Sequence, residues 1–401
     1  MYSEKEVLEF VKEEDVKFIK LAFCDVFGKQ KNVSITDNEL ERAFKTGVAI
    51  DASAIKGFGD EVNSDLFLHP DPSTLSILPW RPEHGRVVRM FCDITYPDGT
   101  PFECDSRLIL KNAVKAAEEI GLYFSFGSEL EFYLFKLDDK GNKTQELYDN
   151  AGYMDVAPED KGENIRREIC LTLEQMGIYP ESSHHEEGAG QNEIDFKYSD
   201  PLTAADNTIT FRQVVSSVAY RNGLFADFSP KPVATAPGNG FHINFSVKSK
   251  SGLNVMSNVI AGVLNRIEDC TVFINNSENS YKRFGVNKAP KFIAWSKENR
   301  SELIRIPAAK GDYERAELRS PDPLANPYIA FALIIYSAID GINGNEKLPA
   351  PADFNMYKAN EEMLKNYKRL PETLINAKQK AATSNFITTH LPNAIISAYT
   401  K

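Results

Sequence analysis

Five carboxylates and one imidazole are the residues whose types and spacing most demand a chemical explanation. Side chains two apart on an extended strand point the same way. In Glu129-Leu130-Glu131-Phe132-Tyr133-Leu134 both acids therefore share one face and Leu130, Phe132 and Leu134 the other. Glu193-Ile194-Asp195-Phe196 repeats the pattern, Phe241 to Val247 sets His242, Asn244 and Ser246 opposite apolar neighbours, and Arg315-Ala316-Glu317-Leu318-Arg319 sets three charges opposite Ala316 and Leu318. The string Ser183-His184-His185-Glu186-Glu187-Gly188-Ala189-Gly190-Gln191-Asn192-Glu193 adds Glu186. One such strand alone reads as an ordinary half-solvated antiparallel strand; four together, two with paired acids, read as a site. Glu129, Glu131, Glu186, Glu193 and Glu317 with His242 form an oxygen-dominated set suited to Mg²⁺ or Mn²⁺ rather than zinc. Adjacent His184 and His185 cannot both face one metal from a strand and match no zinc-protease spacing, so they read as structural or hydrogen-bonding residues. Converging carboxylates at about 4 Å repel by about 4 kcal/mol per pair at an effective dielectric near 20, so cations or arginines must accompany them. Arg283, Arg300, Arg305, Arg315 and Arg319 supply forked guanidinium groups that bind carboxylate and phosphate bidentately. Acids with arginines suggest metal-bridged phosphoryl transfer. There is no GxxxxGK[ST] loop; Gly238-Asn239-Gly240 instead runs directly into the His242 strand, where a close backbone approach to a ligand requires glycine.

The elements that must hold these residues fall in two parts. Residues 1–100 read as a small domain of short strands: Val16 to Asp25, a turn at Gly28, Asn32 to Ile35, a Pro-, Gly- and Asp-rich loop region from Asp51 to Pro82, and a strand from Arg86 to Ile94. The turn Thr95-Tyr96-Pro97-Asp98-Gly99-Thr100-Pro101 marks the boundary with residues 101–401. Beyond it helices alternate with strands: Ser106 to Ile120, a helix entered through Asp160 and Glu163 as a capping-box-like pair and running to Gly177, then Thr203 to Arg221, Leu253 to Asn276 and Leu324 to Ile339.

Composition bounds the function. The chain has 401 residues, 42% hydrophobic and 26% charged, with 46 Lys plus Arg against 57 Asp plus Glu, a net charge of −11. Such an acidic chain has no general pull toward nucleic acid or an anionic membrane. The longest apolar stretch, Tyr328 to Tyr336, is about half of what a bilayer crossing requires, and residues 1–6 lack the pattern of a signal peptide. Five scattered cysteines, never spaced CxxC, read as reduced structural thiols. A cytoplasmic location is expected.

In ordered motifs over nearly its whole length the chain resembles glutamine synthetase of the short bacterial and archaeal type. The matching segments are Asp51-Ala52-Ser53-Ala54-Ile55-Lys56-Gly57-Phe58, Gly127 to Phe132, Glu181 to Glu193 and Lys231 to His242. Asn279 to Arg283, Asn299 to Pro307, Arg315 to Asp322 and Ala325 to Tyr328 complete the series. The resemblance implies an α+β fold: an N-terminal β-grasp domain and a C-terminal catalytic domain with an antiparallel sheet and flanking helices. Subunits would assemble into a dodecamer with active sites at their interfaces. It implies an ATP-dependent ligase that phosphorylates the glutamate side chain and then forms the amide with ammonia, using two Mg²⁺ or Mn²⁺ ions per site. Glu131, Glu186 and Glu193 would hold one metal; Glu129, His242 and Glu317 the other. Glu181, Tyr198, Ser246, Arg305, Arg315 and the stretch Asp312, Tyr313, Glu314 would surround ATP. Tyr153, Gly238, Arg283, Arg300 and Arg319 would bind the remaining substrates, Arg300 and Arg319 also lying near the transferred phosphoryl group. Asp51 would enter a neighbour's site and help deprotonate ammonia.

The chain departs from that pattern in its flap, Tyr281-Lys282-Arg283-Phe284-Gly285-Val286-Asn287-Lys288-Ala289-Pro290, which is one residue short and carries Lys288 where the family has glutamate. Pro237 replaces an Asn, Ala54 a Ser, and Asn244 a second His. Two readings of Lys288 follow: it points into solvent and catalysis survives, or it changes the substrate, giving a γ-glutamyl ligase for an organic amine or a different acid. A catalytically weak structural homologue is a further alternative, against which the complete acid and arginine sets argue.

Overall fold

The computed structural model describes residues 2–59, 62, 64–81, 84–308 and 315–401. The chain opens with helix α1 (Glu4–Glu13), where Ser3 and Glu6 each accept the other's backbone N–H. Then come β1 (Val16–Cys24), β2 (Gln30–Thr36), α2 (Leu40–Thr46), β3 (Val48–Asp51), β4 (Asp65–Pro70), β5 (Ser76–Ile77) and β6 (Arg86–Thr95). They form a mixed sheet in the order β2-β1-β6-β4-β3, with β5 on β6 and β1 parallel to β6. The loop expected from Asp51 to Pro82 is thus interrupted by β4, whose Leu66 and Leu68 are buried while Phe67 and His69 are half-buried. Its flanking prolines and acids hid a short alternating strand.

The second part runs α3 (Ser106–Glu119), β7 (Leu122–Leu137), β8 (Lys143–Leu147), α4 (Glu163–Gln175), β9 (Pro180–His185), β10 (Gln191–Phe196), α5 (Pro201–Arg221), β11 (Leu224–Asp227), β12 (Phe241–Ser249), α6 (Met256–Ile274) and α7 (Glu278–Tyr281). It continues with β13 (Trp295–Lys297), β14 (Ile304–Ile306), β15 (Ala316–Leu318), α8 (Pro327–Asn343), α9 (Glu361–Leu364), α10 (Leu374–Thr383), α11 (Asn385–His390) and α12 (Asn393–Thr400). The sheet is ordered β13-β14-β15-β12-β7-β10-β9, with β8 and β11 also on β7. It is antiparallel as expected except at one edge, where β13 and β14 are parallel. The helices take local caps: Asp105 accepts from Arg107 N, Asp200 from Leu202 N and Thr203 N, and Asn326 from Tyr328 N. The capping pair expected at Asp160 does not form. Helix α4 starts behind Gly162 without a side-chain cap, because both Asp160 oxygens are taken by the Arg166 guanidinium, at 2.6 and 3.2 Å.

Leu130, Phe132 and Leu134 of β7 and Phe241, Ile243 and Phe245 of β12 turn inward and are almost fully buried under α5 and α8. Phe126 stacks on Phe331 of α8 at 4.3 Å between centroids. Helices α6 and α8 cross at Gly262 and Gly341, where an added Cβ would lie 2.1 Å from Ser337 O or 2.3 Å from Asn258 O, so only glycine permits that approach. The acidic face of the sheet is held rigid by this packed underside. Among the described residues no helix is long and apolar enough to cross a membrane.

The two parts are joined by buried charge. Arg107 of α3 donates to Asp71 at 2.8 Å and Asp93 at 3.0 Å in the first part and to Asp206 of α5 at 3.1 and 3.2 Å; Tyr328 of α8 adds a 2.6 Å bond to Asp206. A second joint is the Val26 carbonyl, which accepts both Asn326 Nδ2 at 3.1 Å and Tyr399 OH at 2.9 Å. Truncating one member of a buried ion cluster leaves its partners uncompensated, typically at about 3–5 kcal/mol. Arg107→Met is therefore expected to lower the unfolding free energy in urea by that amount, and Arg107→Lys by less; a loss within experimental error would show that the three aspartates do not depend on it.

Candidate active site

Strand register brings the acids together. On β7, Glu131 faces Glu193 of β10, and Glu129 lies between Asp195 of β10 and His242 of β12. Glu193 in turn faces His184 of β9, and on the other side Asn244 faces Glu317, which faces Arg305 of β14. Like charges directly opposite one another destabilise a sheet, and a one-residue slip would send every one of them into the apolar underside. The hydrophobic alternation read from the sequence therefore fixes the acid constellation.

The carboxylates are individually tethered. Glu131 Oε2 accepts Gly240 N at 2.8 Å and Gln191 Nε2 at 3.1 Å, and Glu129 Oε1 accepts Asn244 Nδ2 at 2.7 Å. His242 Nδ1 lies 3.3 Å from Glu129 and 3.6 Å from Glu317. Arg319 and Arg305 each bond Glu317 at 2.6 Å. Burial raises the Glu317 carboxyl, but Arg319, His242 and Arg305 together outweigh it and hold it at about 2. The opposite side of the site lacks such compensation. Burial, then Glu131, push Glu186 up to about 7. Burial, then Asp195, Glu131, Glu129 and Glu186, raise Glu193 well above its ordinary value; burial and Glu129 do the same to Asp195.

The residues fit divalent cations. Ligand atoms of Glu129, His242 and Glu317 fall within 4.8 Å of one another, as do those of Glu131, Glu193 and His242, of His184, Glu186 and Glu193, and of Glu129, Glu193 and Asp195. Asp195 Oδ1 is buried with no hydrogen-bond partner. Oxygen donors with uncompensated charge are what Mg²⁺ or Mn²⁺ would neutralise. All six expected metal ligands thus converge, with Glu193 common to the sets around Glu131 and Glu186. His184 and Asp195 join them. Strand alternation had already placed Asp195 on the acidic face, whereas His184 needed the β9–β10 register, which no sequence pattern reveals. His185 behaves as expected: it is buried, between Asp149 at 2.9 Å and the Glu186 carbonyl at 2.7 Å.

Two cavities meet here. A chamber of about 230 Å³ is bordered by Glu129, Glu131, Glu186, Glu193, Asp195 and His242 and by Arg283, Arg300, Arg305, Arg315 and Arg319, with Tyr153 and Gly238 also on its wall. A neighbouring slot of about 360 Å³ is bordered by Glu181, Tyr198, Ser246 and Lys248, with Ser125 and Ser182. Glu129, Asp195 and Arg315 border both. Arg305, expected beside the nucleotide, borders the chamber and pairs with Glu317. At Gly238 an added Cβ would stand 2.5 Å from Pro230 O and 2.6 Å from Arg283 Cγ, so a larger residue would displace that arginine. Asp312, Tyr313 and Glu314 lie outside the described residues. Asp51 borders neither cavity of its own chain; it is exposed, accepting Ser53 N at 2.9 Å and Ser53 OH at 2.6 Å.

The flap contributes Asn287, Lys288 and Ala289 to the chamber wall. Lys288 is exposed, as in the first of the two readings, yet its ammonium is engaged: it pairs with Glu187 and lies 5.4 Å from the Tyr153 ring centroid, while its carbonyl accepts Arg319 Nη2 at 3.2 Å.

Two family models match the chain: "Glutamine synthetase, beta-Grasp domain" over residues 15–97 and "Glutamine synthetase, catalytic domain" over residues 103–401. A glutamine synthetase of Clostridium saccharobutylicum is 45% identical over 94% of this chain and 88% of its own length. One of Methanosarcina mazei is 43% identical over 99% and 92%. Among solved structures, a GmaS/ADP complex superposes with a TM-score of 0.89 at 27% identity over 98% of this chain and 93% of that one. A Plasmodium falciparum glutamine synthetase, at 22% identity and TM-score 0.87 over 100% and 95%, shares the fold.

The raised carboxyls make a stability prediction for the metal-free protein. Glu186 titrates near about 7 in the folded chain against 4.5 ordinarily. Between those values the folded state keeps a proton that the unfolded state has lost, so stability falls as pH rises, by up to about 3 kcal/mol. In chelator, Tm is expected to drop from about pH 5 to about pH 8, and Mg²⁺ to restore it at the upper end. Glu186→Gln should make the chelator profile shallower, the raised Glu193 and Asp195 carboxyls keeping part of the slope; a profile already flat in the unmodified chain would contradict the assignment.

Proposed function

The chain belongs to the glutamine synthetase family, and from that premise we propose that it is an ATP-dependent ligase joining glutamate to ammonia through a γ-glutamyl phosphate. The observation that carries this reading is the wall shared by the chamber and the slot. A nucleotide lying along Tyr198, Glu181 and Ser246 would direct its phosphates past Arg315 and Glu129 into the chamber. There Arg283, with Gly238 beside it, would hold the amino acid, and Arg300 and Arg319 would take up charge on the phosphoryl group in transit. Glu131, Glu186 and Glu193 would hold one divalent ion and Glu129, His242 and Glu317 a second. Such ions, Mg²⁺ or Mn²⁺, neutralise phosphate oxygens when bound. Phosphorylation turns the glutamate oxygen from a poor leaving group into phosphate, after which nitrogen attacks the carbonyl carbon. The acids of the chamber attract ammonium, and a base must then take its proton.

That base is proposed to be Asp51, acting from a neighbouring subunit, since it borders no cavity of its own chain. Ser53 bonds hold its carboxyl below the ordinary range, so it is ionised at neutral pH. The assembly would be a dodecamer in which the unit before about residue 100 completes the site of the next subunit, in the cytoplasm.

Phosphate release from ATP in the presence of glutamate and ammonium tests the reading; release only with other amines would replace it. Arg300→Ala is expected to lower kcat by about 10²-fold with Tm unchanged. Asp51→Ala and Arg300→Ala, each nearly inactive alone, should regain activity when dissociated and reassembled together. Mixed assemblies that stay inactive would place Asp51 outside the reaction.

A further inference from the structure

Lys288 borders the chamber together with Glu187 and Tyr153, and its half-exposed side chain ends between those two. Its ammonium pairs with the Glu187 carboxylate and faces the Tyr153 ring at 5.4 Å from the centroid. Tyr153 is itself held edge-to-face against His184, centroids 5.4 Å apart and planes at 75°. A carboxylate beside an aromatic face is what recognises a small alkylammonium. The loop carrying the lysine is anchored by main-chain bonds rather than by that side chain. Gly285 N donates to Ala289 O at 3.0 Å, Tyr357 OH to the same carbonyl at 3.0 Å, and Arg319 to the Lys288 carbonyl at 3.2 Å. Asn287 and Lys288 both adopt left-handed backbone, φ 46° and 65°, which non-glycine residues rarely do. The Lys288 side chain can leave the cage while the loop stays in place.

We propose that the Lys288 ammonium is a tethered competitor seated in the site that receives the nitrogen substrate, and that ammonium binds by displacing it from Glu187 and Tyr153. This rests on the ligase reading for the identity of the displacing cation. A tethered group acts at millimolar effective concentration, so the plug weakens ammonium binding and covers the chamber when ammonium is scarce. The cage selects cations small enough to share it with the emptied lysine path.

The test is ammonium-specific stabilisation of the Mg²⁺-loaded full chain, read as the rise in Tm with ammonium chloride over sodium chloride at equal ionic strength, alongside ammonium-dependent phosphate release. Lys288→Met is expected to lower the half-saturating ammonium concentration about tenfold in both measurements, the scale of one ion pair with one cation–π contact. Lys288→Arg should leave it near the original, and adding Glu187→Gln to Lys288→Met should raise it again. Equal midpoints for Lys288→Met and the unmodified chain would overturn the proposal, as would the absence of an ammonium-specific rise in Tm in both. Midpoints that shift in Tm while no variant releases phosphate would uphold the plug and sink the ligase reading instead.

Discussion

Mutual repulsion among carboxylates placed opposite one another on adjacent strands is the constraint around which the rest of the structure is organised. Glu131 against Glu193, and Glu129 against Asp195, would push β7 and β10 apart were the sheet free to slip or open. What holds them is on the other face. Leu130, Phe132, Phe241 and Ile243 are locked under α5 and α8, and stacked Phe126 and Phe331 leave no room for adjustment. The hydrophobic underside supplies the restoring force against which the acidic face is strained. A divalent ion relieves that strain locally, so cation binding and sheet stability are one quantity seen from two sides.

The compensation is uneven. Glu317 is satisfied within the chain by Arg319, Arg305 and His242, whereas Glu186, Glu193 and Asp195 have mainly like-charged neighbours and little protein charge to offset them. Arg319 joins both halves of the arrangement. One nitrogen bonds Glu317, another the Lys288 carbonyl, and the side chain is fully buried. The flap is thereby referenced to the same group that balances the acid cluster.

Much of this was legible in the amino-acid order because strand alternation is a local property. The faces of β7, β10, β12 and β15, and with them five acids and one imidazole, follow from spacing alone. What spacing does not carry is register between strands distant in sequence, which is why His184 emerged as a chamber residue only from its position opposite Glu193. Strand β4 was concealed by prolines and acids whose local preference for turns is overridden by pairing with β3 and β6. Asp160 resembled a helix cap, yet a guanidinium from within the helix claimed both its oxygens. Lys288 is the sharpest case: a flexible side chain whose direction depends on an acid a hundred residues earlier and an unusual backbone angle beneath it.

The carbonyl of Val26 gathers hydroxyl and amide donors from Tyr399 and Asn326, separated from it by 373 and 300 residues. Ribosomes elongate at roughly 5–20 residues per second, so between about 20 and 75 seconds separate the synthesis of that acceptor from the arrival of the tyrosine. During this interval the nascent first unit must keep its underside from sticking to other chains. Closure of the subunit is consequently a late event in biogenesis, and conditions that hasten or stall translation near residue 399 bear on yield independently of how stable the finished molecule is.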